Sequence, residues 1–103
     1  RRAREVLLTG EPFGVNEALS WGVVNRICDD VVSDALATAA KIAANAPLSV
    51  QVIRKTLSES RGLSIRQAIE VELTHYDSLT PTADRREGIT AFNEKRSPRF
   101  EGR

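Results

Sequence analysis

Apolar residues recur three and four positions apart along most of the chain, which is the pattern of helices that bury one face. Three long helices are predicted from this spacing, over about 32–45, 47–61 and 65–79. Their apolar stripes are Val32, Leu36, Ala39, Ala40 and Ala43; Val50, Ile53 and Leu57; and Ile65, Ala68, Ile69, Leu73 and Tyr76. We expect these stripes to need helix-to-helix packing, within this chain or against other polypeptide.

Shorter elements flank the long helices. A first helix ends at Thr9, before Gly10, and a short helical turn follows from Val15 and ends at Gly22, because glycine favours the left-handed C-terminal cap. The β-branched run 23–27 has the composition of one short strand, but five residues cannot form a sheet alone, so its partners would lie elsewhere. A last helix carries Ile89 and Phe92, and the tail after it is expected to be irregular. The prediction is a mainly α chain with about five helices and one short strand.

Capping residues mark where the helices begin. Asp30 or Ser33 can cap the helix near residue 32, and Ser64 with Gln67 has the spacing of a capping box. Asp84 followed three residues later by Glu87 predicts another capped start.

Composition excludes several classes of protein. The chain has 103 residues, a net charge of +1 and a single cysteine, Cys28, so neither an internal disulfide nor a cysteine zinc cluster can form. No apolar run approaches the length of a membrane span. We therefore expect a cytoplasmic protein that binds neither nucleic acid nor membrane. The charge is uneven, because the segment from Arg85 onward holds six basic and three acidic residues, so an anion site is expected there.

The titratable residues predict no catalytic residue and no metal site. His75 is the sole histidine, and Cys28 stands beside two aspartates that disfavour its thiolate. Glu70 and Glu72 diverge around a helix and cannot act as a paired acid and base. All four are interpreted as structural or surface groups.

Phe92 and Lys95 are the candidate binding residues. They lie three residues apart, and on one helix face such a pair presents an aromatic ring beside an ammonium group. The ring suits an adenine and the ammonium suits a phosphate, so the pair is typical of nucleotide binding. The alternative is that Phe92 is a core residue and Lys95 an ordinary surface charge.

The order of motifs resembles that of one family. These motifs are Leu8-Thr9-Gly10-Glu11, Glu17-Ala18, Gly22-Val23-Val24-Asn25, Ile42-Ala43-Ala44-Asn45-Ala46-Pro47, Lys55, Asp84-Arg85-Arg86-Glu87-Gly88 and Ala91-Phe92-Asn93-Glu94-Lys95-Arg96-Ser97-Pro98-Arg99-Phe100. Together they resemble the C-terminal part of the crotonase superfamily, the enoyl-CoA hydratase/isomerase family. Gly14 and Val15 depart from that pattern, which has a capping side chain followed by alanine there.

The resemblance implies a fold and a role. It implies that residues 1–31 form the end of a spiral core of ββα turns and its connection, and that residues 32–103 form a helical oligomerisation region. The chain lacks methionine, so we expect a piece of a longer protein whose core lies upstream. The family's oxyanion-hole amides and acid/base glutamates would lie there, so no catalytic residue is assigned to this chain.

The resemblance also implies an acyl-CoA substrate, no prosthetic group, and a homo-oligomer, either a trimer or a dimer of trimers. Phe92 and Lys95 match the family positions that meet the adenine and the 3′-phosphate of coenzyme A. The expected reaction of the intact parent is hydration of 2-trans-enoyl-CoA in fatty-acid β-oxidation, with the isolated 103-residue chain inactive. The alternatives are an enoyl-CoA isomerase, another crotonase-type reaction, or a purely structural assembly module.

Overall fold

The helices lie where the apolar periodicity predicts them. The computed structural model describes residues 1–103 and contains six helices and no strand. They are α1 (Arg2–Thr9), α2 (Val15–Ser20), α3 (Val31–Ala43), α4 (Pro47–Glu59), α5 (Ile65–Asp77) and α6 (Ala83–Asn93). The prediction of a mainly α chain is confirmed.

Several predicted helix ends are also confirmed. Gly10 follows α1 in the left-handed conformation with φ 69°, and its N–H donates to the carbonyl of Val6 at 2.9 Å. The Asp30 carboxylate accepts hydrogen bonds from two N–H groups in the first turn of α3, those of Val32 and Ser33, each at 3.1 Å. The Ser33 hydroxyl also donates to this carboxylate, at 2.6 Å. All three bonds lower the pKa of Asp30, and the bond from the Ser33 hydroxyl contributes most.

The capping box at α5 forms as its spacing predicts. The Ser64 hydroxyl accepts from the N–H of Gln67 at 3.4 Å, and the Gln67 side chain accepts from the N–H of Ser64 at 3.1 Å. At α2 the glycine at the cap, Gly14, has no side chain to offer, but the Glu17 carboxylate accepts from its N–H at 2.9 Å. Half of a capping box therefore forms even though the cap residue has no side chain.

The predicted strand at 23–27 is wrong. No other extended segment of the chain pairs with it, and a strand needs a neighbour to take up its backbone hydrogen bonds. Its first two amides instead bond back to the carbonyl of Ala18, from Val23 at 2.9 Å and from Val24 at 3.4 Å. The β-branched run is thus a turn that closes α2, with Gly22 at φ 73°.

The predicted cap of the last helix is also wrong. Thr82, rather than Asp84, caps α6, since its hydroxyl accepts from the N–H of Arg85 at 3.2 Å. Asp84 and Glu87 lie inside the helix and bind the C-terminal tail instead. The tail from Ser97 onward is irregular, as predicted.

The chain divides into two compact units, residues 1–36 and 37–103. In the first, Phe13 and Trp21 stack in a tilted pair with ring centroids 5.1 Å apart, and the Arg2 guanidinium lies 5.5 Å from the Trp21 ring. In the second, α4 and α5 pack against each other. The predicted functional division into 1–31 and 32–103 stays a prediction.

His75 joins α4 to α5. Its side chain is 13% exposed, and its two ring nitrogens contact the Thr56 hydroxyl at 2.8 Å and the Glu59 carboxylate at 3.1 Å. This is a structural role, because both partners belong to the neighbouring helix.

The apolar stripes form but are not covered within the chain. The only buried apolar residues are three alanines, Ala18, Ala46 and Ala91. The large side chains of the predicted stripes stay exposed, among them Leu36, Ile53, Leu57, Ile65 and Leu73. No single helix is long and apolar enough to cross a membrane; α3 and α4 reach that composition only when taken together across a 109° bend.

Candidate functional site

Phe92 and Lys95 lie at the C-terminal end of α6. Phe92 is in the last turn of the helix and is 83% exposed, so no other part of this chain covers it. Lys95 is exposed and lies two residues beyond the helix end at Asn93. The expectation that both lie on one helix face is therefore wrong, because α6 ends between them. A different geometry keeps them adjacent.

That geometry is a Schellman turn. The N–H of Arg96 donates to the carbonyl of Ala91 at 3.0 Å, and the N–H of Lys95 donates to the carbonyl of Phe92 at 3.2 Å. The turn requires a left-handed residue, and this residue is Lys95 with φ 54°, the one non-glycine residue of the chain with positive φ. Glycine usually occupies this position, since a Cβ atom is strained there.

Ion pairs surround the turn. The Arg96 guanidinium binds the Glu87 carboxylate through both terminal nitrogens, at 2.6 and 2.9 Å, and its Nε binds Glu94 at 2.6 Å. Glu87 also accepts from the backbone N–H of Arg99 at 2.7 Å. These bonds, chiefly that of Arg96, lower the pKa of Glu87 to about 2 and raise that of Arg96 above its ordinary value. Lys95 takes part in none of them.

Asp84 fixes the end of the tail. Its side chain is only 3% exposed and accepts from the N–H groups of Glu101 at 2.7 Å and Gly102 at 2.8 Å. Its own N–H donates to the carbonyl of Arg103 at 3.0 Å. The tail therefore runs back along α6, held at two carboxylates one helical turn apart. The three-residue spacing of Asp84 and Glu87 places them on one face, which is the signal in the sequence for a paired acceptor site.

A shallow apolar groove of about 400 Å³ adjoins Phe92. Its apolar walls are Tyr76, Leu79, Ile89, Phe92 and Phe100, and its polar rim includes Ser49 and Arg85. Phe100 comes from the tail, and its ring lies 3.7 Å from where a Cβ on Gly88 would stand. The tail thus forms one wall of the groove that contains Phe92.

Comparison with known proteins decides the family. The sequence profile of enoyl-CoA hydratase/isomerase matches residues 1–103. The chain belongs to this family. The resemblance predicted from the ordered motifs is confirmed.

Individual relatives agree with the profile. The chain is 33% identical over 103 residues to the 2,3-dehydroadipyl-CoA hydratase of Escherichia coli K12, covering 98% of this chain and 40% of that protein. It is 36% identical over 102 residues to the (E)-benzylidenesuccinyl-CoA hydratase of Thauera aromatica, covering 97% and 40% respectively. The chain spans about 40% of the length of these curated relatives.

Solved structures of the family share the helical arrangement. An enoyl-CoA hydratase from Bacillus anthracis aligns with TM-score 0.93 and 31% identity, over 99% of this chain and 40% of that one. An enoyl-CoA hydratase from Mycobacterium marinum aligns with TM-score 0.87 and 34% identity, over 98% and 41%. The predicted fold class, the helical part of a crotonase-like fold, is confirmed.

The remaining titratable candidates are not part of the turn after α6. Glu70 pairs with Arg66 at 3.5 Å on the exposed face of α5, and Glu72 is exposed on the same helix. Cys28 is a half-buried free thiol in the other compact unit. No group of three or more histidine, cysteine or acidic side chains is arranged to hold a metal.

Proposed function

We propose that this chain is part of a hydratase that adds water to the double bond of a 2-trans-enoyl-CoA ester, as in fatty-acid β-oxidation. Family membership supports an acyl-CoA substrate, and the relatives that this chain resembles include CoA-ester hydratases and dehydratases. Within that protein, Phe92 and Lys95 contribute the part of the pocket that meets the adenine and the 3′-phosphate of coenzyme A.

The observation that carries this role is the turn after α6. It presents an aromatic ring that is 83% exposed and, three residues later, an ammonium group that forms no ion pair. The arginine next to it is already bound by two carboxylates, so Lys95 is the cation of this turn that stays available to an anion. A purine can pack on the ring while a phosphate meets the ammonium as a point charge.

These residues bind and orient; they do not carry out the proton transfers. By family resemblance, two backbone amides outside this chain stabilise the enolate oxygen, and a preorganised pair of donors of this kind favours charge that develops in the transition state. Binding energy from the distant adenine end helps to place the thioester at those amides. The isolated 103-residue chain is expected to be inactive, and measurable hydration of a short enoyl-CoA by it would contradict this.

Steady-state kinetics of Lys95→Ala and Phe92→Ala test the pocket in the full protein expressed from its gene. We expect a higher KM for enoyl-CoA esters and an unchanged oligomer size, because the variants remove ligand contacts from an exposed turn. Lys41→Ala is the matched control, since Lys41 is an exposed lysine on α3. Unchanged kinetics for both variants would contradict the proposed pocket.

A second role is assembly. The exposed apolar stripes of α3, α4 and α5 favour packing against further polypeptide, and we propose that they provide contacts of a trimer or a dimer of trimers. Sedimentation of the full protein with Leu57→Glu tests this, because Leu57 is 66% exposed here and a buried charge would dissociate the assembly. An unchanged oligomer size in this variant would contradict the proposal that Leu57 lies in the interface.

The family includes isomerases, and the reaction type is tested by product analysis. A hydratase converts a 2-enoyl-CoA to the 3-hydroxyacyl ester, whereas an isomerase moves the double bond of a 3-enoyl ester. We expect the first product from the full protein. Conversion of the 3-enoyl ester alone would assign the isomerase reaction instead.

A further inference from the structure

Lys95 adopts a backbone conformation that is disfavoured for residues with a Cβ atom. With φ 54° it occupies the left-handed position of a Schellman turn, where a Cβ atom is strained and glycine is the usual residue. Such strain persists only where the surrounding structure over-determines it. The residues that supply this support are visible on both sides of Lys95.

Glu87 and Arg96 provide it. Arg96 follows Lys95 directly, and its guanidinium is bound in a fork to Glu87 in the middle of α6 and by its Nε to Glu94, the residue before Lys95. Glu87 further accepts from the backbone N–H of Arg99. The residues before and after Lys95, Glu94 and Arg96, are therefore bonded to each other, and Arg96 is also bonded to Glu87. None of these bonds involves the lysine ammonium.

The charges are divided in a way that suits ligand binding. Arg96 is occupied by two carboxylates, which keeps its charge from competing for an anion, while Lys95 forms no ion pair. The Glu87 carboxylate stays ionised at neutral and mildly acidic pH, since its pKa is lowered to about 2. The backbone of Lys95 is held before any ligand arrives, which reduces the ordering cost of binding.

We propose that Glu87 and Arg96 are positioning residues for Lys95: by clamping the turn after α6 they hold Lys95 in its left-handed conformation and thereby set the affinity for the 3′-phosphate of coenzyme A. This inference rests on the proposed function of Lys95. It assigns to the glutamate and the arginine a role that acts through the lysine, with no contact of their own to the ligand.

The test compares coenzyme A with 3′-dephospho-coenzyme A. Dissociation constants of both are measured by calorimetry on the full protein. The dissociation constant of the dephospho ligand divided by that of coenzyme A is the ratio that isolates the contribution of the phosphate. In Lys95→Ala we expect this ratio to fall by about tenfold or more, the size of one hydrogen bond between charged groups. In Glu87→Gln we expect a fall of about threefold or more, with the affinity for the dephospho ligand unchanged.

A double variant shows whether Glu87 acts through Lys95. In Glu87→Gln/Lys95→Ala the ratio should equal that of Lys95→Ala alone, because a positioning residue has no effect once the residue it positions is gone. Glu70→Gln is the matched control: Glu70 also pairs with an arginine on a helix surface, in its case α5, and should leave the ratio at the wild-type value. An additional fall in the double variant would overturn the positioning role.

The two proposals fail differently. An unchanged ratio in Lys95→Ala overturns the proposed function of Lys95, whereas a lowered ratio there with an unchanged one in Glu87→Gln overturns only the positioning role. If Glu87→Gln does not fold, Glu94→Gln replaces it, since Glu94 is 56% exposed and its loss removes one arm of Arg96. It should lower the ratio by less than Lys95→Ala, and no change would overturn the clamp.

Discussion

Replacing Asp84 with alanine should release the C-terminal tail from α6. The carboxylate is 3% exposed and accepts from the backbone N–H groups of Glu101 and Gly102 at 2.7 and 2.8 Å. Alanine removes both acceptors while leaving the two donors in place. Asp84→Asn keeps one acceptor oxygen and turns an amide group toward the second donor.

The magnitude follows from these two bonds. A hydrogen bond to a charged group contributes about 1.5–3 kcal/mol when both partners are buried. Glu101 is exposed and Gly102 is half-buried, so water replaces part of each lost bond. We therefore expect Asp84→Ala to lower the free energy of opening the tail by about 2 kcal/mol, and Asp84→Asn by about half of that.

Hydrogen exchange measures this opening directly. A loss of about 2 kcal/mol corresponds to roughly 30-fold faster exchange of the amides of Glu101 and Gly102 in the full protein. Asp77→Ala is the control, because Asp77 is exposed on α5 and the side chains that accept hydrogen bonds from the tail are those of Asp84 and Glu87. Exchange in Asp84→Ala equal to that of wild type would refute the assignment of Asp84 as the anchor.

Four further predictions concern stability of the full protein. Gly88→Ala should stabilise the protein by up to about 1 kcal/mol, because Gly88 is inside a helix and the added Cβ would lie at an ordinary 3.7 Å from the Phe100 ring. Gly102→Ala should destabilise it by about 1 kcal/mol, because a Cβ atom is strained at φ 77°. Denaturant midpoints that shift in the same direction for both variants would contradict this. Lys95→Gly should be about 1 kcal/mol more stable than Lys95→Ala, since glycine relieves the left-handed strain. Equal melting temperatures of these two variants would contradict strain at this position. The folded-state pKa of Glu87 is about 2, below an unfolded value of about 4.3, so the stability that its carboxylate contributes is present above pH 5 and is lost as the pH falls toward 2. The difference in unfolding free energy between wild type and Glu87→Gln should therefore shrink from about pH 5 to about pH 2. A difference that stays constant over this range would contradict the linkage. Ser64→Ala should cost about 1 kcal/mol by removing the cap of α5, which urea unfolding would detect.

Helix positions and many helix ends could be predicted from the sequence, because these features depend on near neighbours. The stripe on α5, the box of Ser64 with Gln67, and the left-handed Gly10 each involve residues within a few positions of one another. The family resemblance also came from local motifs in a fixed order. The predicted strand at 23–27 failed because β-branched content is a local preference, while a strand exists only beside another.

The candidate site divides in the same way. Phe92 and Lys95 are candidates by residue type and spacing, but the spacing does not predict their geometry, because the end of α6 depends on a left-handed residue. Asp84 and Glu87 were interpreted as a local capped start. They bind amides 12 to 18 residues away, and contacts at that separation leave little trace in a local pattern.

By itself the sequence determined the helical character of the chain, most of its helix boundaries and its family, since each depends on short-range periodicity or on motif order. Only the tertiary structure decided that the large apolar stripe residues stay exposed within the chain, how the tail returns to α6, and that Lys95 is held in a strained turn by Glu87 and Arg96. Burial and long-range hydrogen bonds depend on which distant residues meet in space, and chain spacing does not specify that.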